Sequence, residues 1–321
     1  NYHISRELKN LLQNISCNFF DAKTSSKETV YSVAKENHEK NKLILSTCLR
    51  YEIYSFSKNN RHKGGFFYCK NITCIRRLLS ILVGLQSEII GEKEIFIQFK
   101  NSLKNSYSKK SISKDIYDGL ENLLDIAMQI RLNTNLLLEE NYSHIGARLV
   151  IEKAGIEAKK SKVVIIGGGY MSELFIKALD PTIGKIVWVD RDVRKIKETI
   201  KNLPNSKKFK ILSIQECHAD IKSADFIFCA ISNSENLFKD ITLKRESMVI
   251  DISYPSVFVQ PEDKTINFIS LANTFFDTLV KYPISKQKII EANKEIDYII
   301  KMLSIGLLIL LKVKYPLMIF Y

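Results

Sequence analysis

Lys162–Leu174 reads KVVIIGGGYMSEL, and this stretch decides how the second half of the chain folds. A short apolar run of Val and Ile is broken by consecutive glycines, and a helical pattern then continues to Leu179. That is the order of a buried strand, a tight turn and a helix. Gly167, Gly169 and Ser172 fall on the three small positions of a G-x-G-x-x-[GAS] turn. The first permits the turn, the second lets backbone approach a pyrophosphate, and the third allows close helix packing, with phosphate held at the helix N-terminus. The next apolar run, Lys185–Val189, ends at Asp190, roughly 20 residues on, where a carboxylate can take a ribose diol. Phe226–Ile231 and Met248–Ile252 read as further strands between helices. The expectation is α/β: a doubly wound parallel sheet of Rossmann type that binds a dinucleotide.

Upstream, Leu43–Phe56 reads LILSTCLRYEIYSF, two apolar runs expected as strands around a polar break that carries Cys48. A thiol at a strand end, near a cation and open to substrate, can act as a nucleophile. Arg50 follows two residues after that sulfur, and Ser46, Thr47 and Arg50 supply donors for a carboxylate-bearing substrate. Taken alone, the segment fits a small core cysteine equally well. A second block, Gly84–Lys100, reads GLQSEIIGEKEIFIQFK. Apolar spacing predicts helices over Ile72–Leu85 and Glu92–Ser106, with a turn at Gly91 between them. Ser87 is then expected in a loop and Glu92 and Gln98 on the following helical turns, facing the Cys48 segment across one cleft. Leu120–Ala154 is read as further helical material, and Ser57–Gly65 as an exposed loop.

Together the two blocks resemble glutamyl-tRNA reductase, whose N-terminal domain carries S-T-C-N-R-x-E-[IL]-Y and, downstream, G-L-[DE]-S-x-[VI]-x-G-E-x-Q-I-x-x-Q-x-K. Matching are Ser46, Thr47, Cys48, Arg50, Glu52, Ile53 and Tyr54, then Gly84, Leu85, Ser87, Gly91, Glu92, Ile95, Gln98 and Lys100. The likeness continues through Arg131, Thr134 and Ser143 into the glycine block. It implies an N-terminal α+β catalytic domain over 1–145, a Rossmann NADP-binding domain over 146–284, and the start of a long C-terminal spinal helix over 285–321, with most of a dimerisation domain missing. The implied reaction is NADPH-dependent reduction of glutamyl-tRNA(Glu) to glutamate-1-semialdehyde, the precursor of 5-aminolevulinate and tetrapyrroles. In it the Cys48 thiolate takes the glutamyl group from the tRNA as a thioester. Arg50 would receive the substrate's side-chain carboxylate, and Thr47, Ser87, Glu92 and Gln98 its amino and carbonyl groups. Gly167, Gly169, Ser172, Asp190 and Arg191 would hold the cofactor.

Several positions depart from the family's pattern. Arg77 stands where the family has a histidine, and an arginine cannot exchange a proton near neutral pH. Its expected catalytic part is to lower the Cys48 pKa or to hold a developing oxyanion. Leu49 replaces Asn, Glu94 replaces Gln, and Ser256 replaces the Arg of a D-x-x-x-P-R element that keeps Asp251 and Pro255. Asp190-Arg191-Asp192 stands in place of Asn-Arg-Thr. A carboxylate there favours a ribose diol, while Arg191 can pair with a 2′-phosphate, so NADPH is expected and NADH stays open.

The chain has 321 residues, a formal net charge of +13 and six cysteines, at 17, 48, 69, 74, 217 and 229. Scattered cysteines without C-x-x-C spacing point to reduced thiols, and the five histidines form no ligand pair, so no metal is expected. The excess charge suits a polyanion such as tRNA, but its Lys is spread through the whole sequence and says little about where. Met302–Leu311 is too short for a bilayer and reads as a buried or oligomer-facing helix, with no membrane role. Because the sequence begins at Asn1, a start or targeting segment is expected to be missing; the expected location is the cytoplasm, with plastid stroma as the alternative. Candidate partners are glutamyl-tRNA(Glu), a second copy through the C-terminal helix, and a glutamate-1-semialdehyde aminomutase. Two other readings stay open: a catalytically degenerate relic that binds tRNA or nucleotide, and an unrelated dehydrogenase acting on a free small molecule.

Overall fold

The structure, a computed structural model, describes residues 2–21, 40–47, 50–57, 66–179, 181–201, 203, 209–231, 237–271, 273–274 and 276–314. The chain divides into two compact units, one formed by 1–139 with 281–321 and the other by 140–280.

The first unit is built on an antiparallel sheet of β1 (Ile15–Asp21), β2 (Lys42–Ser46), β3 (Arg50–Phe56) and β4 (Phe67–Lys70), in the order β2-β3-β1-β4. Period-2 alternation sends Ile15, Cys17, Leu43, Leu45, Tyr54 and Phe56 to one face, against the helices. The opposite face gathers Phe20, Tyr51, Ile53 and Phe66. β3 is covered on both sides and buried along almost its whole length, so Glu52 in its middle is a buried carboxylate.

Around the sheet lie α1 (Arg6–Leu11), α2 (Asn71–Val83), α3 (Glu94–Ser108), α4 (Lys114–Asn133) and α9 (Lys286–Lys314). Ser5 caps α1 and Ser113 caps α4 through their side chains. α2 stops at Gly84, whose φ of +89° is left-handed, and a Cβ there would lie 2.8 Å from the Arg131 guanidinium. α9 returns to the same core: Ala292, Ile296, Ile299 and Leu303 repeat at helical spacing and are all buried in it. Tyr2 Oη donates to Glu295 at 2.8 Å, and Arg76 pairs with Asp297.

The fully buried Arg131 holds the loop that follows α2. Its Nη1 donates to the carbonyls of Leu82 (3.3 Å) and Val83 (2.9 Å), and its Nη2 to those of Gly91 (2.7 Å) and Glu92 (3.0 Å). Glu92, expected on a helical turn, instead bridges in parallel to Leu138, and α3 begins two residues later at Glu94. The expected helical stretch from Leu120 to Ala154 is two helices, α4 and α5 (Tyr142–Ala154), separated where Asn141 accepts the His144 N–H at 3.0 Å and caps the second. Residues 58–65 of the expected exposed loop lie outside the described residues.

The second unit is a six-stranded parallel sheet of β5 (Lys162–Ile166), β6 (Lys185–Asp190), β7 (Phe209–Ser213), β8 (Phe226–Cys229), β9 (Met248–Asp251) and β10 (Asn267–Ser270). Its order β10-β9-β8-β5-β6-β7 reverses direction between β5 and β8, the doubly wound arrangement expected from the glycine block. Helices α6 (Tyr170–Ala178), α7 (Val193–Ile200) and α8 (His218–Lys222) complete the connections. Phe175 of α6 stacks on Phe228 with ring centroids 4.0 Å apart, pinning that helix to the sheet. Among the described residues no helix is long and apolar enough to cross a membrane.

Replacing Arg131 by Lys puts a compact ammonium where a planar fork spans two carbonyl pairs. The expected cost is at least ~2 kcal/mol, from buried acceptors left without donors, read as a lower urea midpoint for the first unit. An unchanged midpoint contradicts this account of the loop.

Candidate active site

Glu52 organises the helix-covered face of the first sheet. Its Oε1 accepts from Arg77 Nη2 at 2.7 Å and from Arg50 Nη1 at 3.4 Å. Its Oε2 accepts from the Tyr54 hydroxyl and, at 4.0 Å, from the Cys17 thiol. Arg77, on α2, also lies over the Phe19 ring, 3.4 Å from guanidinium carbon to centroid. Burial pulls the Arg77 pKa down, but the Glu52 carboxylate more than offsets this and the net shift is upward. Burial, then Glu52, push the Tyr54 phenol well above its ordinary value, so it remains a donor.

Arg50 links that carboxylate to the loop held by Arg131, since its Nη2 donates to the Gln86 carbonyl at 2.6 Å. Thr47 and Arg50 close on each other: Thr47 N–H donates to the Arg50 carbonyl at 2.9 Å, and Arg50 N–H to Thr47 Oγ1 at 3.1 Å. Cys48 and Leu49 lie outside the described residues. Glu92 is buried, and its pKa is pushed up to about 7 by burial and by the charge of Glu94, against the pull of a Ser87 hydrogen bond, Arg50 and Arg131. Glu92 Oε2, Gln98 Oε1 and Arg77 Nε are buried polar atoms with no hydrogen-bond partner. Of the residues expected here, Thr47, Arg50, Ser87, Glu92 and Arg77 are thus joined in one network through Glu52 and the Gly84–Glu92 loop. Gln98 stands on α3, one turn beyond its start.

Glu52 matched the sequence block but had no assigned role. A lone carboxylate between the apolar residues of a strand is the signal that it must have cationic partners, and sequence does not say which. Arg77 departs visibly from the family's pattern, but sequence names neither Glu52 nor Phe19 as its neighbours.

In the second unit, Gly167 closes β5 with φ +115°, and a Cβ there would sit 2.5 Å from the Ala230 carbonyl oxygen, so only glycine fits. Its N–H donates to the Val189 carbonyl at 2.8 Å, and its own carbonyl accepts from Trp188 Nε1 at 2.7 Å. Gly169 is the cap residue of α6 and a Cβ there would meet nothing within 4 Å, which leaves open space over the helix N-terminus. Ser172 is buried, with an Oγ that has no partner. Asp190 ends β6 beside the turn: its Oδ2 accepts from Gly168 N–H at 2.5 Å and its Oδ1 from Asp192 N–H at 2.8 Å. Arg191 follows, exposed. Open backbone donors at the helix end and an acid at the neighbouring strand end suit the phosphates and ribose of a dinucleotide.

The family described as glutamyl-tRNAGlu reductase, N-terminal domain, matches residues 12–134, and that described as shikimate / quinate 5-dehydrogenase matches 148–273. A glutamyl-tRNA reductase of Helicobacter acinonychis (strain Sheeba) is 26% identical over 229 residues, covering 63% of this chain and 51% of that protein. One of Methanosphaera stadtmanae is 31% identical over 207 residues, covering 60% and 52%. The chain therefore spans about half the length of the curated relatives it matches. The solved glutamyl-tRNA reductase from Methanopyrus kandleri is 14% identical, with a TM-score of 0.44, covering 92% of this chain and 80% of that one.

With its pKa raised from 4.5 to about 7, Glu92 keeps its proton in the folded state over a range where the unfolded chain has lost it. Its contribution to stability is full below the unfolded value and is lost as pH rises through about 7. A Glu92→Gln protein, neutral throughout, should not lose stability across that window. Above pH 7 it should exceed the parent by about 3 kcal/mol, at 1.36 kcal/mol for each pKa unit. Parallel stability–pH curves for the two proteins would refute this.

Proposed function

From the match of residues 12–134 to the glutamyl-tRNA reductase N-terminal domain and from the similar curated reductases, we infer that the chain is of the glutamyl-tRNA reductase family and propose that it reduces glutamyl-tRNA(Glu) to glutamate-1-semialdehyde, using NADPH. The observation that carries this reading is the network joining Thr47, Arg50, Ser87 and Glu92 within the first unit.

In this reading the Cys48 thiolate attacks the ester carbonyl that links glutamate to the tRNA terminus. The sulfur–carbon bond forms, the ester carbon–oxygen bond breaks, and the tRNA hydroxyl leaves with a proton. Arg50, held by Glu52 and the Gln86 carbonyl, has N–H donors left over for the substrate's side-chain carboxylate. Glu92 offers a buried, unpartnered oxygen to the substrate's ammonium group, with Thr47, Ser87 and Gln98 as further polar contacts. Arg77 stays charged and cannot shuttle protons; it lends positive field to the developing oxyanion. Gly167, Gly169, Ser172, Asp190 and Arg191 form the cofactor cradle. A reduced nicotinamide, when bound, supplies the hydride that takes an acyl group to the aldehyde level. Asp190 favours an unphosphorylated ribose and Arg191 a 2′-phosphate, so the preference for NADPH rests on Arg191.

The test is single-turnover acylation of the whole chain with labelled glutamyl-tRNA. Label should stay on the wild-type protein in the absence of cofactor and be missing from Cys48→Ser. RNA binding with no acylation would favour the non-catalytic reading. Arg50→Lys should lower kcat/KM at least ~100-fold, since a point charge replaces a bidentate fork.

A further inference from the structure

Cys17, Cys69 and Cys74 are far from pairing by sequence pattern, yet the fold gathers them at one place beside Glu52 and Arg77. Cys17 on β1 and Cys69 on β4 are directly opposed in the antiparallel register. Directly opposed residues have Cα atoms about 4.5–5.5 Å apart, inside the 4.4–6.8 Å range that a disulfide spans. Cys17, Cys69 and Cys74 pack together in the core of the first unit, near enough for the thiols of Cys17 and Cys74 to influence that of Cys69. Cys74 sits on α2, three residues before Arg77, and so on the same side of that helix.

The three thiols differ in exposure. Cys17 and Cys74 are buried, whereas Cys69 is half-buried on the strand at the sheet's edge. Hydrogen bonds from the two neighbouring thiols, and then the charge of Arg77, pull the Cys69 pKa far down, while burial drives those of Cys17 and Cys74 up. One accessible thiolate backed by two protonated thiols is the arrangement of a peroxide-reactive cysteine with resolving partners.

We propose that Cys69 is an oxidation site that reacts with a hydroperoxide and is resolved by Cys17 as a reversible cross-strand disulfide. The Cys69 thiolate attacks one peroxide oxygen, so that an S–O bond forms and the O–O bond breaks. The sulfur is oxidised by two electrons to the sulfenic acid, and the departing oxygen takes a proton as water or alcohol. Cys17 sulfur then attacks Cys69 sulfur, an S–S bond forms, and the S–O bond breaks. Hydroxide leaves with the Cys17 proton as a second water. The bond removes the Cys17 S–H that reaches Glu52 Oε2 and the negative charge that faces Arg77. The inference stands on the first unit's sheet geometry and does not rest on the proposed reaction.

The experiment uses the whole chain carrying Cys48→Ser, so that residue 48 contributes no thiol. Reduced protein is given equimolar hydrogen peroxide, alkylated, digested and mapped by mass. A Cys17–Cys69 disulfide that dithiothreitol reverses is the expected product. In a further Cys17→Ser variant, dimedone should label Cys69 at least tenfold above Cys217 and Cys229. A Cys69–Cys74 bridge in the parent, or Cys69 labelled no more than the others, overturns the proposal. Should Cys17→Ser fail to fold, alkylation of the parent by iodoacetamide at pH 6 decides. Cys69 should react at least tenfold faster than the other four thiols, and equal rates sink the proposal.

Discussion

A carboxylate at the centre of a doubly covered strand sets the terms for the first unit. Leaving Glu52 ionised in that position without partners would cost many kcal/mol, so everything around it must supply positive charge and hydrogen bonds. Arg77 comes from α2, Arg50 from the head of the same strand, and Tyr54 from two residues along on the same face. α2 can dock in one way only if its guanidinium is to reach the acid while its apolar side fills the core. The register between β1 and β3 follows the same logic, since a slip by one residue would turn Glu52 to the opposite face, where Phe20 and Ile53 pack. The position of Arg50, and through it of the loop bearing Gln86 and Ser87, descends from that one buried charge.

The second unit solves a similar problem with backbone instead of side-chain charge. Asp190 serves the turn and the following loop at once, because its two oxygens accept amides from Gly168 and Asp192. The carboxylate at this strand end is thereby a structural tie, and its position relative to the glycines of the turn is fixed. Asp251 plays a parallel part at the end of β9: it is buried, and accepts from Ser253 N–H, Ser256 Oγ and Val257 N–H. Ser256, one of the departures from the family pattern, is thus tied to the Asp that the pattern retains.

The strand–turn–helix at Lys162 was legible because its physics is local: β-branched run, positive-φ glycine, helix start. The two N-terminal blocks were legible as a pattern of residues, and the fold joins most of them. What sequence did not carry was partnership. Arg77 stood out, but its target is 25 positions away in sequence and meets it only by docking of α2. Cys17 and Cys69 share a register that no spacing rule encodes. Glu92 was expected on a helix because its neighbours are helical in pattern; capture of its carbonyl by Arg131 and its bridge to Leu138 hold it out of the helix. The periodicity of α9 announced an apolar stripe without saying that α1, α2 and α4 would cover it.

The division of the chain has a consequence for its synthesis. The first unit needs α9, whose residues follow the entire second unit, to cover Ala292, Ile296, Ile299 and Leu303 and to meet Tyr2 and Arg76. The second unit is one continuous segment. At ~5–20 residues per second, the ribosome makes residues 140–280 while the earlier sheet waits on the order of 10 s with part of its apolar surface uncovered. The nucleotide-type unit is therefore complete before the unit that brackets it, whose core closes only when α9 has been made.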